Sequence, residues 1–202
     1  MENIWITKVV TNNVRGSVLK LTFPRVTFKE LWDAYPDYDD MIHINKATGE
    51  DAFENHCAIN ISETLQRNGI TMKSFKGVKC YHKCPRGRKT HALRAQELAN
   101  WLKKRPFPGC PSLIELRGDE FREKLNNKTG IIFFKDYWQR SSEIGTERRT
   151  GDHIDLWDGR GVDKLAKQGF YENFITNTLG MYWDGIYSDK NKSKKVLFWE
   201  IN

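Results

Sequence analysis

The sequence predicts an α+β fold in which N-terminal helices pack on a small antiparallel sheet. Amphipathic segments with helical spacing dominate the chain up to residue 127, and segments rich in β-branched and aromatic residues, typical of strands, follow it. This order, helices first and strands after, favours a layered α+β arrangement. The length of 202 residues and the apolar fraction of 39% suit one core, so we expect a single domain over residues 1–202.

The first two elements are predicted from alternation and from end signals. Residues 17–23 alternate apolar and polar side chains, which predicts a half-buried strand. Residues 27–36 follow as a short helix, because Thr27 and Glu30 have capping-box spacing and Pro36 ends the segment.

The third element is a helix over residues 55–67. Asn55 is its predicted N-cap, and Asn68–Gly69 is a common exit signal. One stripe of small and apolar side chains has the spacing i, i+3, i+4 and i+7, so we expect this helix to be largely buried. The stripe consists of Ala58, Ile61, Ser62 and Leu65.

The later elements are predicted in the same way, and the assignment weakens only between residues 162 and 180, where helical patches are interrupted by a glycine. The predicted helices cover residues 90–105 and 119–127, and the predicted strands cover residues 130–138, 151–159 and 194–202.

The charge favours an anionic partner without choosing one. The formal net charge is +7, and the densest basic stretch, residues 76–94, lacks helical periodicity and is predicted to be a loop. A basic nucleic-acid-binding module or a nuclease toxin is the alternative function that this stretch allows. Tyr81 is its only aromatic residue, however, and such a site needs several stacking aromatics. We therefore expect no nucleic-acid partner.

No segment indicates a membrane protein or a secreted precursor. No apolar run approaches the roughly 20 residues that cross a bilayer, and the N-terminal residues lack a long apolar region and a cleavage site. We expect a cytosolic product without a membrane partner, which would need a route other than a general secretory signal to act elsewhere.

Four cysteines are too few for a disulfide scaffold. Cys80 and Cys84, with His82 between them, leave three interpretations open: unlinked loop thiols, a local disulfide, or part of a zinc site. No second Cys/His cluster has familiar zinc spacing, so no metal ligand and no cofactor are assigned. His43, His82 and His91 lie in polar segments, and we expect them to be solvated.

Cys57 lies in the first turn of a predicted buried helix. It could be a packed core residue, a metal ligand or a nucleophile. A helix N-terminus lowers the pKa of a thiol, and a nearby imidazole completes its activation. His56 lies about 100° around the helix, whereas His153 opens a predicted strand. His153 by itself could be a satisfied strand histidine, but Cys–His pairs of this type are remote in sequence and close in space.

Six segments, taken in order, resemble the type VI secretion amidase effectors of family 4. They are "LWDAYP", "NHCAINISETLQRNG", "HALRAQELANWL", "GIIFFKD", "GDHIDLWDG" and "LFWEI". The resemblance implies a papain-like, NlpC-type fold and cleavage of peptidoglycan stem peptides between γ-D-glutamate and meso-diaminopimelate. It also implies production in the cytoplasm, injection by a type VI apparatus into the periplasm of a competitor, and a cognate immunity protein. The basic charge fits a carboxylate-rich substrate.

The resemblance also assigns the catalytic residues. Cys57 corresponds to the nucleophile, His153 to the general base, and Asp163 to the third residue, an aspartate about ten positions after the histidine. Asp155 and Asp158 are its rivals. Asp155 shares a strand face with His153, and we expect that position beside the histidine to be a poor one for orienting the far ring nitrogen.

Overall fold

The computed structural model describes residues 4–10, 18–37, 43, 45, 47–50, 52–53, 55–80, 90–160, 164–165 and 189–202. Side chains are described for these residues apart from 4–10, 18–24, 141 and 164. Within these ranges the chain combines helices with antiparallel strands, as the α+β prediction requires.

The described strands form two antiparallel sheets. A hairpin pairs β1 (Ile4–Val10) with β2 (Val18–Pro24). The larger sheet has the order β3-β7-β4-β5-β6, so β4 is its centre. Its strands are β3 (Leu113–Leu116), β4 (Thr129–Trp138), β5 (Gly151–Asp158), β6 (Lys164–Leu165) and β7 (Lys195–Glu200).

Four α-helices occur in the described ranges: α1 (Phe28–Ala34), α2 (Cys57–Arg67), α3 (Ala95–Leu102) and α4 (Phe121–Lys124). The predicted capping box of α1 is confirmed. Thr27 Oγ1 accepts a hydrogen bond from the Glu30 N–H at 3.3 Å, and the Glu30 carboxylate accepts from the Thr27 N–H at 2.7 Å. None of the described helices has the length and apolar character that a membrane span requires.

Helix α2 is buried along the stripe that the sequence predicts. Ala58, Ile61 and Ser62 are completely inaccessible, and Leu65 is 1% exposed. The Ser62 hydroxyl donates back to the Ala58 carbonyl at 2.8 Å, which lets a polar residue lie inside the core without an unpaired donor.

Helix α3 begins later than predicted, at Ala95 rather than at residue 90. Residues 91–93 are extended because they pair with the segment before the basic loop: Lys79 and Ala92 form an antiparallel bridge, and the Leu93 N–H donates to the Val78 carbonyl at 3.1 Å. The spacing of apolar residues reports only local structure. It therefore cannot predict that another segment of the chain takes up these backbone hydrogen bonds.

Two apolar clusters position the helices on the sheet. The larger cluster joins α2 and α3 to Ile154 and Leu156 of β5, and the smaller one packs around Trp157 and Phe121. Ile154 and Leu156 therefore face the larger cluster together. Because α2 and β5 share this packing, residues at their ends are held at fixed separations.

Candidate active site

Cys57 is the first residue of helix α2, and the residue before it is the cap. The prediction of Asn55 as N-cap is wrong: His56 occupies that position and makes no side-chain cap hydrogen bond. Its imidazole instead contacts the Phe53 carbonyl, with Nε2 at 2.6 Å from the oxygen. His56 therefore does not consume the first-turn N–H groups beside Cys57, and these groups favour an anion.

His153 lies on β5 next to an irregular part of the sheet. The β4–β5 pairing shifts register between Phe134 and Trp138, and Asp136 in this stretch has a positive φ of 52°. The Tyr137 ring lies 6.4 Å from the His153 ring, in edge-on orientation. A bulge of this kind redirects side chains near functional sites. The His153 side chain is 26% exposed and is thus accessible to solvent.

The Cys57 side chain lies close enough to the His153 imidazole to raise its pKa. On its other side, His153 places Nε2 at 3.2 Å from Asp155 Oδ2. Burial disfavours the charged imidazolium, but the hydrogen bonds to Asp155 and Cys57 and the charges of both groups outweigh it and raise the pKa of His153 to about 10. The imidazole is therefore held in its protonated form near neutral pH.

Asp155 is the centre of a buried polar network. Its Oδ1 accepts from the Leu156 N–H at 2.8 Å, and the Tyr35 hydroxyl donates to its carboxylate. Asn60 of α2 is hydrogen-bonded in turn to Tyr35. Burial, the charge of Asp155 and the hydrogen bond to Asp155 raise the pKa of Tyr35 well above its ordinary value and outweigh the hydrogen bond to Asn60, which lowers it, so Tyr35 remains a donor.

The structure thus brings Cys57 and His153 together, as the sequence predicts. The objection to Asp155 is wrong, since its carboxylate reaches Nε2 of the histidine two residues earlier. Asp158 instead forms a bidentate pair with Arg160, at 2.9 and 3.0 Å. Asp163 lies outside the described residues.

Tyr35 and Asn60 were not found from the sequence. Asn60 carried one usable signal, because it lies three residues after Cys57 and hence on nearly the same face of the helix. Tyr35 carried none, since its place beside Asp155 depends on how α1 packs against the rest of the core.

The comparisons with known proteins identify the family. Residues 53–199 match the family model of the type VI secretion system amidase effector protein 4, which is most of the chain and includes both Cys57 and His153. The chain belongs to this family. The prediction of a peptidoglycan amidase effector, a hydrolase delivered by type VI secretion, is confirmed at the level of the family.

Solved structures of the amidase effector family share the fold. A type VI effector–immunity complex, Tae4–Tai4 from Enterobacter cloacae, contains a chain with 17% identity and a TM-score of 0.57, covering 88% of this chain and 99% of that one. The effector Tae4 from the same organism has 16% identity and the same TM-score, with 88% and 98% covered. The predicted papain-like, NlpC-type α+β fold is therefore confirmed. No curated protein matches the chain.

Proposed function

We propose that this amidase effector is a DL-endopeptidase that hydrolyses the bond between γ-D-glutamate and meso-diaminopimelate in peptidoglycan stem peptides. Cys57 is its nucleophile and His153 its general base. The observation that carries this proposal is the placement of His153 between Cys57, at the N-terminus of α2, and the Asp155 carboxylate that contacts its Nε2. The family match supports it over the alternative of a nucleic-acid-binding toxin.

The reacting pair is the Cys57 thiolate beside the protonated imidazole of His153, the form of the imidazole that its raised pKa favours. Because Nε2 faces Asp155, Nδ1 is the ring nitrogen left for the thiol. The thiolate attacks the γ-carbonyl carbon of D-glutamate, and His153 donates its proton to the departing amine of diaminopimelate. A water molecule, deprotonated by His153, then hydrolyses the thioester and restores the thiol.

The negative oxygen of each tetrahedral intermediate needs a donor close to the sulfur. The backbone N–H of Cys57 lies at the start of α2, where N–H groups have no intrahelical partner. We assign it as an oxyanion donor, because the helix dipole adds to the same stabilisation. The core stripe of α2 holds this N–H in place.

Two aspartates compete for the role of holding the imidazole. Asp155 has the contact with Nε2, and its network of Tyr35 and the Leu156 N–H fixes the carboxylate in turn. We assign the role to Asp155 on this contact. Asp163 is the candidate that the family resemblance supplies, and variants of the two residues separate them.

Delivery and partners follow from membership of the family. We propose that the type VI apparatus injects the protein into the periplasm of a competing bacterium, where the stem peptides are accessible. The similar effector from Enterobacter cloacae was solved with an immunity protein. By analogy, the producing cell would make an immunity protein that covers the site.

Digestion of purified sacculi tests the proposed bond. Wild-type protein should release fragments whose masses place a free amine on diaminopimelate and a free γ-carboxyl on D-glutamate. Cleavage of the glycan strand, or of the bond between N-acetylmuramic acid and L-alanine, would overturn the proposed specificity while leaving amidase membership intact.

The pH profile of hydrolysis should report the carboxylate that holds His153. His153 must be protonated to donate to the amine, so kcat/KM should fall as the pH rises through about 10, the pKa of His153. Asp155→Asn removes a charge and a hydrogen bond that raise this pKa, so the alkaline limb should move to lower pH. The measurement is the pH dependence of kcat/KM on a defined stem-peptide substrate.

Two further variants make this assignment decisive. Asp158→Asn is the matched control, because Asp158 pairs with Arg160. The alkaline limb of this variant's pH profile should stay at the wild-type position. Asp163→Asn should also leave the limb unchanged. A shift with Asp163→Asn and none with Asp155→Asn would transfer the role to Asp163.

A further inference from the structure

A second cluster of polar side chains lies apart from Cys57 and His153, against the middle of α2. His43 is 1% exposed, and His91 and Glu63 are fully inaccessible. The free thiol of Cys80 is half-buried beside them. The expectation that His43 and His91 are solvated is therefore wrong, and the proposed catalytic chemistry uses none of these four groups.

Backbone pairing brings Cys80 and His91 side by side, although they bracket the most basic part of the sequence. The Cys80 N–H donates to the His91 carbonyl at 3.0 Å, and the His91 N–H donates to Cys80 Sγ at 3.2 Å. Two hydrogen bonds attach this pair of segments to helix α2. The Ala92 N–H donates to Ser62 Oγ at 3.1 Å, and Gln66 Nε2 donates to the Thr90 carbonyl at 2.7 Å.

Three potential ligand atoms converge in this cluster. His91 Nδ1 lies 3.3 Å from His43 Nε2 and 3.8 Å from Cys80 Sγ, and all three atoms are within 4.8 Å of one another. Tetrahedral zinc has bonds of about 2.0–2.1 Å to nitrogen and about 2.3 Å to sulfur, which separates two nitrogens by about 3.4 Å and nitrogen from sulfur by about 3.6 Å. The two distances from His91 Nδ1, to His43 Nε2 and to Cys80 Sγ, therefore suit an ion bound between these atoms.

Glu63 gives His91 the orientation of a metal ligand. Its Oε2 lies 2.9 Å from His91 Nε2, and its Oε1 accepts from Arg67 Nε at 2.8 Å. A carboxylate so engaged keeps the proton on Nε2 and aims the Nδ1 lone pair at the other two atoms. Metal-bound histidines commonly have a carboxylate on the second ring nitrogen.

We propose that His43, Cys80 and His91 form a metal site that takes zinc, with Glu63 as the carboxylate that orients His91. One thiolate and two imidazoles in tetrahedral spacing suit zinc better than the hard cations, which prefer oxygen ligands. Binding releases the Cys80 proton to solvent as the sulfur–metal bond forms. The site ties the segment of His43 and the two segments beside the basic loop to α2, the helix that begins with Cys57.

Metal analysis of the full-length protein tests the site. Chelator-treated protein is incubated with zinc, desalted and analysed for zinc per chain, and we expect about one ion. Cys80→Ser and His91→Gln should each lose most of this zinc. Cys57→Ser is the matched control: it removes the other thiol–imidazole pair and should retain the full amount, with circular dichroism confirming that every variant is folded.

Cobalt substitution gives a readout that needs no variant to fold. Cobalt bound to wild-type protein should show the thiolate-to-metal charge-transfer band and the intense visible bands of a tetrahedral site, and zinc should abolish them. Three results would overturn the proposal: no zinc retained by wild-type protein, cobalt bound without the thiolate band, or zinc lost in Cys57→Ser but kept in Cys80→Ser. The first of these leaves the cluster as a hydrogen-bonded network.

Discussion

Replacing Cys57 with alanine should reduce hydrolysis of stem peptides by roughly 10⁴- to 10⁶-fold. The catalytic residues act as one unit, and removal of any one of them abolishes most of the rate enhancement that the unit provides. The effect should be on kcat, because the thiol forms the covalent intermediate and contributes little to binding. Steady-state kinetics on a defined stem peptide measure it. The thiol is partly exposed at the margin of the core, so the fold should be unaffected.

Cys110→Ala is the matched control for Cys57→Ala, because it removes a second thiol from the same core. The Cys110 side chain is 1% exposed, and burial, opposed by the charge of Arg105, raises the pKa of its thiol to about 12. Cys110→Ala should retain full kcat. In wild-type protein, iodoacetamide should alkylate Cys57 well before Cys110 near neutral pH, and activity should fall in step with that modification.

Two outcomes would remove Cys57 from the mechanism. One is release of identical products by Cys57→Ala and wild-type protein from the same sacculi. The other is alkylation of Cys57 that proceeds to completion without loss of activity. Neither would question membership of the family, which depends on the sequence match over residues 53–199.

The local patterns of the sequence predicted the elements that carry the catalytic pair. Helix α2 and strand β5 each have strong periodicity and clear end signals, so the sequence places Cys57 at one helix start and His153 near one strand start. Bringing them together needed a resemblance to a known family, because periodicity does not say which strand a helix covers.

The errors occurred where distant parts of the chain compete for the same groups. The prediction starts α3 too early because residues 91–93 pair with residues 78–80, before the basic loop. Polar neighbours in sequence predict surface positions for His43 and His91, whereas Glu63 of α2 supplies the partner that makes burial of His91 acceptable.

Three described strands, β1, β3 and β6, are not predicted by the sequence patterns. Strand β3 contains four residues, too few for alternation to be distinguished from chance, and it gains its hydrogen bonds only by pairing with β7 near the C-terminus. Strand β1 pairs with β2 in a hairpin whose second strand was predicted. These segments become strands through hydrogen bonds to a partner strand, which the pattern of a single segment does not contain.

Gly130→Ala should cause a large loss of stability, because Gly130 lies where two backbones meet in the centre of the sheet. A Cβ added there would come within 2.1 Å of the Trp199 carbonyl oxygen, a distance that no side-chain rotation can relieve. Relief requires β4 and β7 to separate, and both strands contribute to the core. We expect the free energy of unfolding to fall by roughly 3 kcal/mol, measured by urea denaturation.

Gly49→Ala separates this clash from the general cost of replacing glycine. Gly49 has a φ of 72° and nothing within 4 Å of an added Cβ, so it should lose only about 1 kcal/mol from left-handed strain. An equal loss in the two variants would show that β4 and β7 can move apart cheaply. The position of β5, which pairs with β4 and carries His153, would then not depend on a rigid central strand, and the fixed Cys57–His153 separation would need another cause.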